Sequence, residues 1–241
     1  MDKSTSQLSR GETVEDTAKV LDRYVDVVVA RVFSHKTLEI MSKSMNKNVI
    51  NALSDLTHPC QILADLFTIK EKFGDFSGLK LAYVGDGNNV CNSLLLGCAK
   101  VGMDISIACP KGYEPDKKIV KMARDYSKIT KSKIVVGTEP KSAVKNANII
   151  YNDTFISMGD EKEKTKRMKV FMPKYQVNKK LFKLAAPDAV YMHCLPAHRG
   201  EEVTPEVIDG PRSIVFDQAE NRLHAQKALL AKMMSSKQIV Y

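Results

Sequence analysis

Tryptophan is absent from the 241 residues, and the five cysteines (Cys60, Cys91, Cys98, Cys109 and Cys194) form an odd set with no C-x-x-C pair. That spacing suggests neither a disulfide framework nor a zinc site, and no metal is expected. Cys91 and Cys98 stand seven apart on one expected helix, which reads as core packing. Long apolar runs are also missing. The longest β-branched run, Val27-Val28-Val29, is far shorter than the roughly 18–20 residues of a membrane span. The chain opens MDKSTSQLSRGE, polar from its first residue, so no secretory signal is expected and the default location is cytoplasmic.

Acidic residues are the scarcer sign: 28 against 37 basic ones, for a formal charge of +9. The lysines are scattered, with short clusters such as Lys117-Lys118 and Lys179-Lys180 and no arginine-rich stripe. This pattern suits an enzyme of anionic metabolites, and no nucleic-acid partner is expected. With 44% hydrophobic residues the composition is globular, and the length fits one or two domains.

The hydrophobic pattern alternates strands and helices. Thr13-x-x-Asp16 opens a capping box, after which Val14, Ala18, Leu21 and Val25 recur at helical spacing. A buried strand is expected at 25–33, a helix near 36–45, a strand near 49–53, and a helix from Pro59 to about 73. Further strands are expected at 79–84, 104–109, 132–136, 148–152, 189–193 and 213–216. Helices are expected at 90–102, 115–127, 140–147 and 219–234. The order predicts an α/β fold of two parallel-sheet domains, the second Rossmann-like, with ligands beyond the C-terminal ends of the strands. The boundaries are 1–73, completed by the C-terminal helix 219–241, and 74–218. The first unit has only two credible strands, meagre for a parallel sheet.

Five segments could carry chemistry. Gly85-x-Gly87 sits between a strand and a helix like a dinucleotide fingerprint, but Val90 holds the third glycine position. No acid lies between Ile105 and Tyr113 to bind a ribose, so a nicotinamide cofactor is set aside. The same loop can offer Asn88 and Asn89 to a polar ligand, or serve as a tight turn. In His58-Pro59-Cys60-Gln61, His58 and Gln61 can face one anion at a helix N-terminus; alone, His58 is as well read as a cap or a core histidine. Asp153, at the tip of a strand, can hold an ammonium group or make an Asx turn. Cys194, in His193-Cys194-Leu195-Pro196, is a base or nucleophile, or an inert buried thiol. Arg222, expected in the first turns of the last helix, gains nothing from the helix dipole there, which points to an anionic partner.

In this order the segments resemble the aspartate/ornithine carbamoyltransferase family, on its ornithine-using branch. The matching pieces are Q-L-S-R-G-E-T (7–13), V-A-R-V-F-S-H (29–35), H-P-C-Q-I-L-A-D (58–65), G-D-G-N-N (85–89), N-D-T-F-I-S-M-G (152–159), H-C-L-P-A-H-R-G-E-E-V (193–203) and A-E-N-R (219–222). They span nearly the whole chain, and H-C-L-P with S-M-G is the part that differs from aspartate-using relatives. One departure is large. The family has an S-T-R-T loop that wraps the phosphate of carbamoyl phosphate, and no S-T-R-T occurs in these residues. The expectation is an N-terminally truncated or partial member.

The resemblance implies transfer of the carbamoyl group from carbamoyl phosphate to L-ornithine, giving L-citrulline and phosphate in arginine biosynthesis or a urea-cycle-type step. No cofactor is implied. Carbamoyl phosphate would be held by Gln7, Arg31, His58, Gln61, Cys194, Leu195 and Arg222. Ornithine would be held by Asn89, Asp153, Ser157 and Met158. Cys194, coupled to Asp153, would receive the amine's proton, with His58 and Arg31 completing the catalytic set. Family members are typically trimers, so a homo-oligomer is implied. The alternative is a non-catalytic relative that keeps the amino-acid site as a binding or subunit-interaction protein.

Overall fold

The computed structural model describes residues 11–157, 159 and 161–235. Thr13 caps the first helix, α1 (Val14–Tyr24), by accepting the Asp16 amide at 3.1 Å. Then come β1 (Val27–Arg31), α2 (His35–Ser44) and β2 (Asn48–Leu53), the two strands pairing in parallel with Val28 opposite Val49. Ala18 of α1, Met41 of α2 and Met45 just after α2 form a minor core beside this small sheet, with Val28 and Val49 packed against it. The chain then enters α3 (Pro59–Phe73). Proline at the first helical position costs no hydrogen bond, and Gly74, at φ +80°, ends the helix.

The second sheet is built from β3 (Lys80–Val84), α4 (Asn89–Val101), β4 (Asp104–Ala108), α5 (Lys117–Thr130), β5 (Ile134–Gly137), α6 (Pro140–Val144) and β6 (Ile149–Asn152). It is completed by α7 (Lys164–Phe171), α8 (Lys179–Phe182), β7 (Val190–His193) and α9 (Pro205–Ile208), before the long α10 (Val215–Met234). All five strands are parallel, in the order β5-β4-β3-β6-β7. Buried side chains cover both faces: Leu81, Tyr83, Leu94 and Ile105 on one, Val84, Ile150, Phe171 and Tyr191 on the other. Strands buried on both sides read as unbroken apolar runs, which is why they stood out in the sequence.

After β3 the chain winds outward to β4 and β5, then returns to the other side of β3 for β6 and β7. The switch point therefore lies between β3 and β6, and the loops 85–88 and 153–157 open side by side there. α3 crosses α4 at Gly97, where an added Cβ would stand 2.5 Å from Ile62 Cγ2. α10 runs back along α3, with Asn221 donating to Thr68 at 3.0 Å and Gln226 to the Cys60 carbonyl at 3.1 Å.

Two expectations need correction. No strand forms at 213–216: Ser213 makes one bridge to Tyr191, and the chain turns into α10 at Val215. Ile214 and Val215 are apolar because they are buried at the helix start, not because they lie in the sheet. α10 consequently begins four residues earlier than expected, and Arg222 lies in its third turn. The dipole argument for an anion at Arg222 thus loses its basis. Among the described residues no helix is long and apolar enough to cross a membrane.

Candidate active site

A cleft of about 410 Å³ opens at the switch point. The end of β1 brings Arg31 to it, and the start of α3 brings His58 and Gln61. Asn89 comes from the loop after β3, Asp153 and Ser157 from the loop after β6, Cys194 and Leu195 from the end of β7, and Arg222 from α10. Nine sequence-expected residues thus line one cavity. Gln7 and Met158 lie outside the described residues.

The side facing α3 is built for an anion. Arg222 donates from Nη1 to Gln61 Oε1 at 2.6 Å, and its buried Nε has no hydrogen-bond partner. His58 is buried and donates its backbone amide to Ser93 Oγ at 2.7 Å, while its ring Nδ1 is unpaired. Burial, reinforced by the charges of Arg222 and Arg31, lowers the His58 imidazole to a pKa of about 4. At neutral pH the ring is uncharged, so the guanidinium groups supply the positive field.

The side facing β6 is built for a cation. Cys194 donates from Sγ to Asp153 Oδ1 at 3.1 Å, and Asn88 donates from Nδ2 to Asp153 Oδ2 at 2.7 Å. Burial, and then the neighbouring Asp153 charge, raise the Cys194 thiol well above the usual range. It is therefore a thiol at neutral pH, fit to pass protons and unfit to attack as thiolate. Leu195, at φ +56°, is a branched residue in the left-handed region. The His193 ring holds it there by accepting the Leu195 amide at Nδ1, 2.9 Å away. That leaves the ring proton on Nε2, 3.5 Å from the fully buried Glu202.

The glycine-rich loop has a structural explanation. A Cβ on Gly87 would sit 2.3 Å from Pro115 N and 2.4 Å from the Glu114 carbonyl carbon, so only glycine lets the 113–115 segment approach. Asn88 caps α4, accepting the amides of Val90 and Cys91, each at 3.1 Å. Those amides are thus not free for a ligand. Asn89 is turned toward the other half of the molecule, donating to the Ser54 carbonyl at 2.7 Å. Asp86 makes a buried ion pair with Arg167, which also donates to the Phe155 carbonyl at 2.6 Å and lies over the Tyr113 and Phe171 rings. That pair ties the loop after β3 to the segment after β6.

Phe33, Ser54 and Thr154, not named as site residues from the sequence, also line the cleft, as does Asn88, which the loop after β3 offers with Asn89. Phe33 and Thr154 stood in the quoted V-A-R-V-F-S-H and N-D-T-F-I-S-M-G segments. For Ser54 no local signal exists, since only the tertiary fold carries it to the site.

The doubly wound parallel sheet carries, at its switch point, a cleft with arginines on one side and a carboxylate on the other, an architecture fit for small charged ligands. Two family models divide the chain: the carbamoyl-P binding domain of aspartate/ornithine carbamoyltransferases over residues 1–71, and their Asp/Orn binding domain over 77–233. An ornithine carbamoyltransferase of Thermococcus kodakarensis is 56% identical over 228 residues, covering 95% of this chain and 72% of that protein. Another, from Nostoc punctiforme, is 52% identical over 97% of this chain and 76% of its own length. The solved ornithine carbamoyltransferase of Pyrococcus furiosus superposes with a TM-score of 0.93 at 53% identity, covering 98% of this chain and 75% of that one. The chain belongs to the aspartate/ornithine carbamoyltransferase family.

Proposed function

We propose that this protein transfers the carbamoyl group of carbamoyl phosphate to the side-chain amine of L-ornithine, giving L-citrulline and phosphate. The observation that carries the reading is the Cys194–Asp153 pair, 3.1 Å apart, in one cleft with Arg31, His58, Gln61 and Arg222. A mixed anhydride already has a good leaving group, so the site must position two substrates, free an amine and stabilise an oxyanion. An alkyl ammonium has a pKa of about 10.4 and arrives protonated. The amine gives one proton to Cys194 Sγ while the thiol proton passes to Asp153 Oδ1; the proton leaves later to solvent. The neutral nitrogen then attacks the carbamoyl carbon, and the new C–N bond places negative charge on the oxygen beside the guanidinium groups. The C–O bond to phosphate breaks, and the departing phosphate takes the second amine proton.

In this reading Asn89, Asp153, Ser157 and Met158 bind ornithine, while Gln7, Arg31, His58, Gln61, Leu195 and Arg222 bind carbamoyl phosphate. Residues 1–73 and α10 form the carbamoyl-phosphate unit, supported by the hydrogen bonds from α10 to α3. The remaining residues form the ornithine unit. The family resemblance supports a homotrimer, which sedimentation of the purified chain checks.

The direct test counts citrulline and phosphate formed by the 241-residue polypeptide, alone and joined to the family's S-T-R-T segment. The expected result is equimolar products from the joined form and little or none from the polypeptide alone. No citrulline from either form, with ornithine still bound, would instead assign a non-catalytic amino-acid-binding role.

A further inference from the structure

Behind the cleft, and absent from its lining, lies Asp65, fully buried on α3. Its Oδ1 accepts from Gln61 Nε2 at 2.9 Å and from Gln218 Nε2 at 2.7 Å; its Oδ2 accepts from the Tyr151 hydroxyl at 3.0 Å. Gln218 spends its second N–H on the same hydroxyl, at 3.0 Å. Gln218 then has only its carbonyl left to offer, and Gln61 its carbonyl and one N–H. Gln61 Oε1 receives Arg222, and Gln218 Oε1 receives the backbone amide of His193 at 2.9 Å, next to Cys194.

An ionised carboxylate only accepts, so any amide facing it must turn its NH2 inward and its oxygen outward. One carboxylate thereby dictates the direction of two amides on two different helices. We infer that Asp65 is a positioning residue whose carboxylate orients Gln61 toward Arg222 and Gln218 toward the His193-Cys194 backbone, coupling the two walls of the cleft. The inference rests on the reading of this cleft as a carbamoyl-phosphate and ornithine site, and it adds a residue that touches neither substrate. Burial raises the Asp65 carboxyl to about 6, so keeping it ionised is unfavourable to the fold. Buried charged networks of this kind are retained for specificity more than for stability.

Asp65→Val is the deciding variant. It stays close in size but removes both acceptors, so nothing holds the NH2 groups of Gln61 and Gln218 inward; Asp65→Asn could keep its Oδ1 toward both glutamines and donate to the Tyr151 hydroxyl. Positioning predicts a split. The melting temperature should be lowered by no more than about 8 °C, since the loss of a costly buried charge offsets the amide donors left unpaired. Carbamoyl phosphate affinity of the 241-residue chain should fall at least about tenfold, because a hydrogen bond to a charged group is lost at Arg222. Affinity within about twofold of the parent overturns the inference, as does an affinity loss that merely tracks a collapse in melting temperature. A ligand-free measurement guards against a variant that does not fold. In ¹⁵N spectra of the parent, the side-chain NH2 groups of Gln61 and Gln218 should both be protected from exchange; free exchange of either one overturns the inference. If neither the parent nor its joined form binds carbamoyl phosphate, the functional reading fails, and the amide spectra still decide the role of Asp65.

Discussion

Burial, with Arg222 and Arg31 nearby, lowers the His58 imidazole from 6.5 to about 4, and that shift has consequences for stability. Between those two values the unfolded chain binds the extra proton and the folded one does not. This group's contribution is therefore complete above pH 6.5, and it is lost as the pH falls toward 4. The size is about 3 kcal/mol. Asp65 works in the opposite sense. Its folded value of about 6 exceeds 3.8, so its contribution is complete below 3.8 and lost as the pH rises through 6. The two partly cancel in the parent, and a single variant separates them. Between pH 4 and 7 the stability measured by urea unfolding should rise less with pH, or fall, in His58→Gln relative to the parent; parallel curves would contradict the shift at His58. Cys194 is the other decisive residue. Cys194→Ser in the joined form should lower turnover by about 10²-fold or more, the range of a lost acid–base group. It should leave carbamoyl phosphate affinity nearly intact, because a hydroxyl roughly keeps the size but is a much weaker acid than a thiol. Equal turnover at all pH values would remove Cys194 from proton transfer.

The turn between β3 and α4 shows why glycine must not be equated with phosphate binding. Gly87→Ala would drive a methyl into backbone atoms of Pro115 and Glu114, not into a flexible side chain. A loss of about 1–3 kcal/mol or more in urea unfolding is expected, together with weaker ornithine binding as Asn88 and Asn89 shift. An unchanged midpoint would show that the 113–115 segment yields freely. Long elements were legible because the chemistry of each is local: Pro59 and Gly74 bracket α3, and the apolar runs of β3, β4 and β6 announce buried parallel strands. The short helices α7, α8 and α9 were not legible. Half of α7 is lysine and arginine, around Met168, Val170 and Phe171, and its buried ion pair joins Arg167 to Asp86, 81 positions away. The apolar Ile214-Val215 step looked like strand because burial at a helix start and burial in a sheet demand the same side chains. Arg222 shows the same limit, since its environment depends on where α10 begins.

Across the described residues, parallel β–α alternation fixed a switch point between β3 and β6, and six of the seven segments quoted from the sequence bring residues to the cleft there. Eight of the nine named residues that line it sit at the end of a strand, in the loop after it or in the first turn of a helix, where such folds present side chains; Arg222, in the third turn of α10, does not. The network behind them was not, because Asp65 and Gln218 are 153 positions apart and meet only through packing of α3 against α10. In the proposed reading the two charged walls set the choice of amine. Aspartate would bring a second carboxylate toward Asp153, where like charges repel. Putrescine lacks the α-carboxylate, leaving the donors meant for it unpaired at about 1–3 kcal/mol each when buried. The central claim is therefore tested most directly by competing L-ornithine, L-aspartate and putrescine for carbamoyl phosphate with the joined form and comparing kcat/KM. Ornithine should lead both rivals by about 10²-fold or more, the discrimination expected of a site that pairs both charged groups of its substrate. A higher kcat/KM for aspartate or putrescine would contradict the assignment of ornithine as the acceptor.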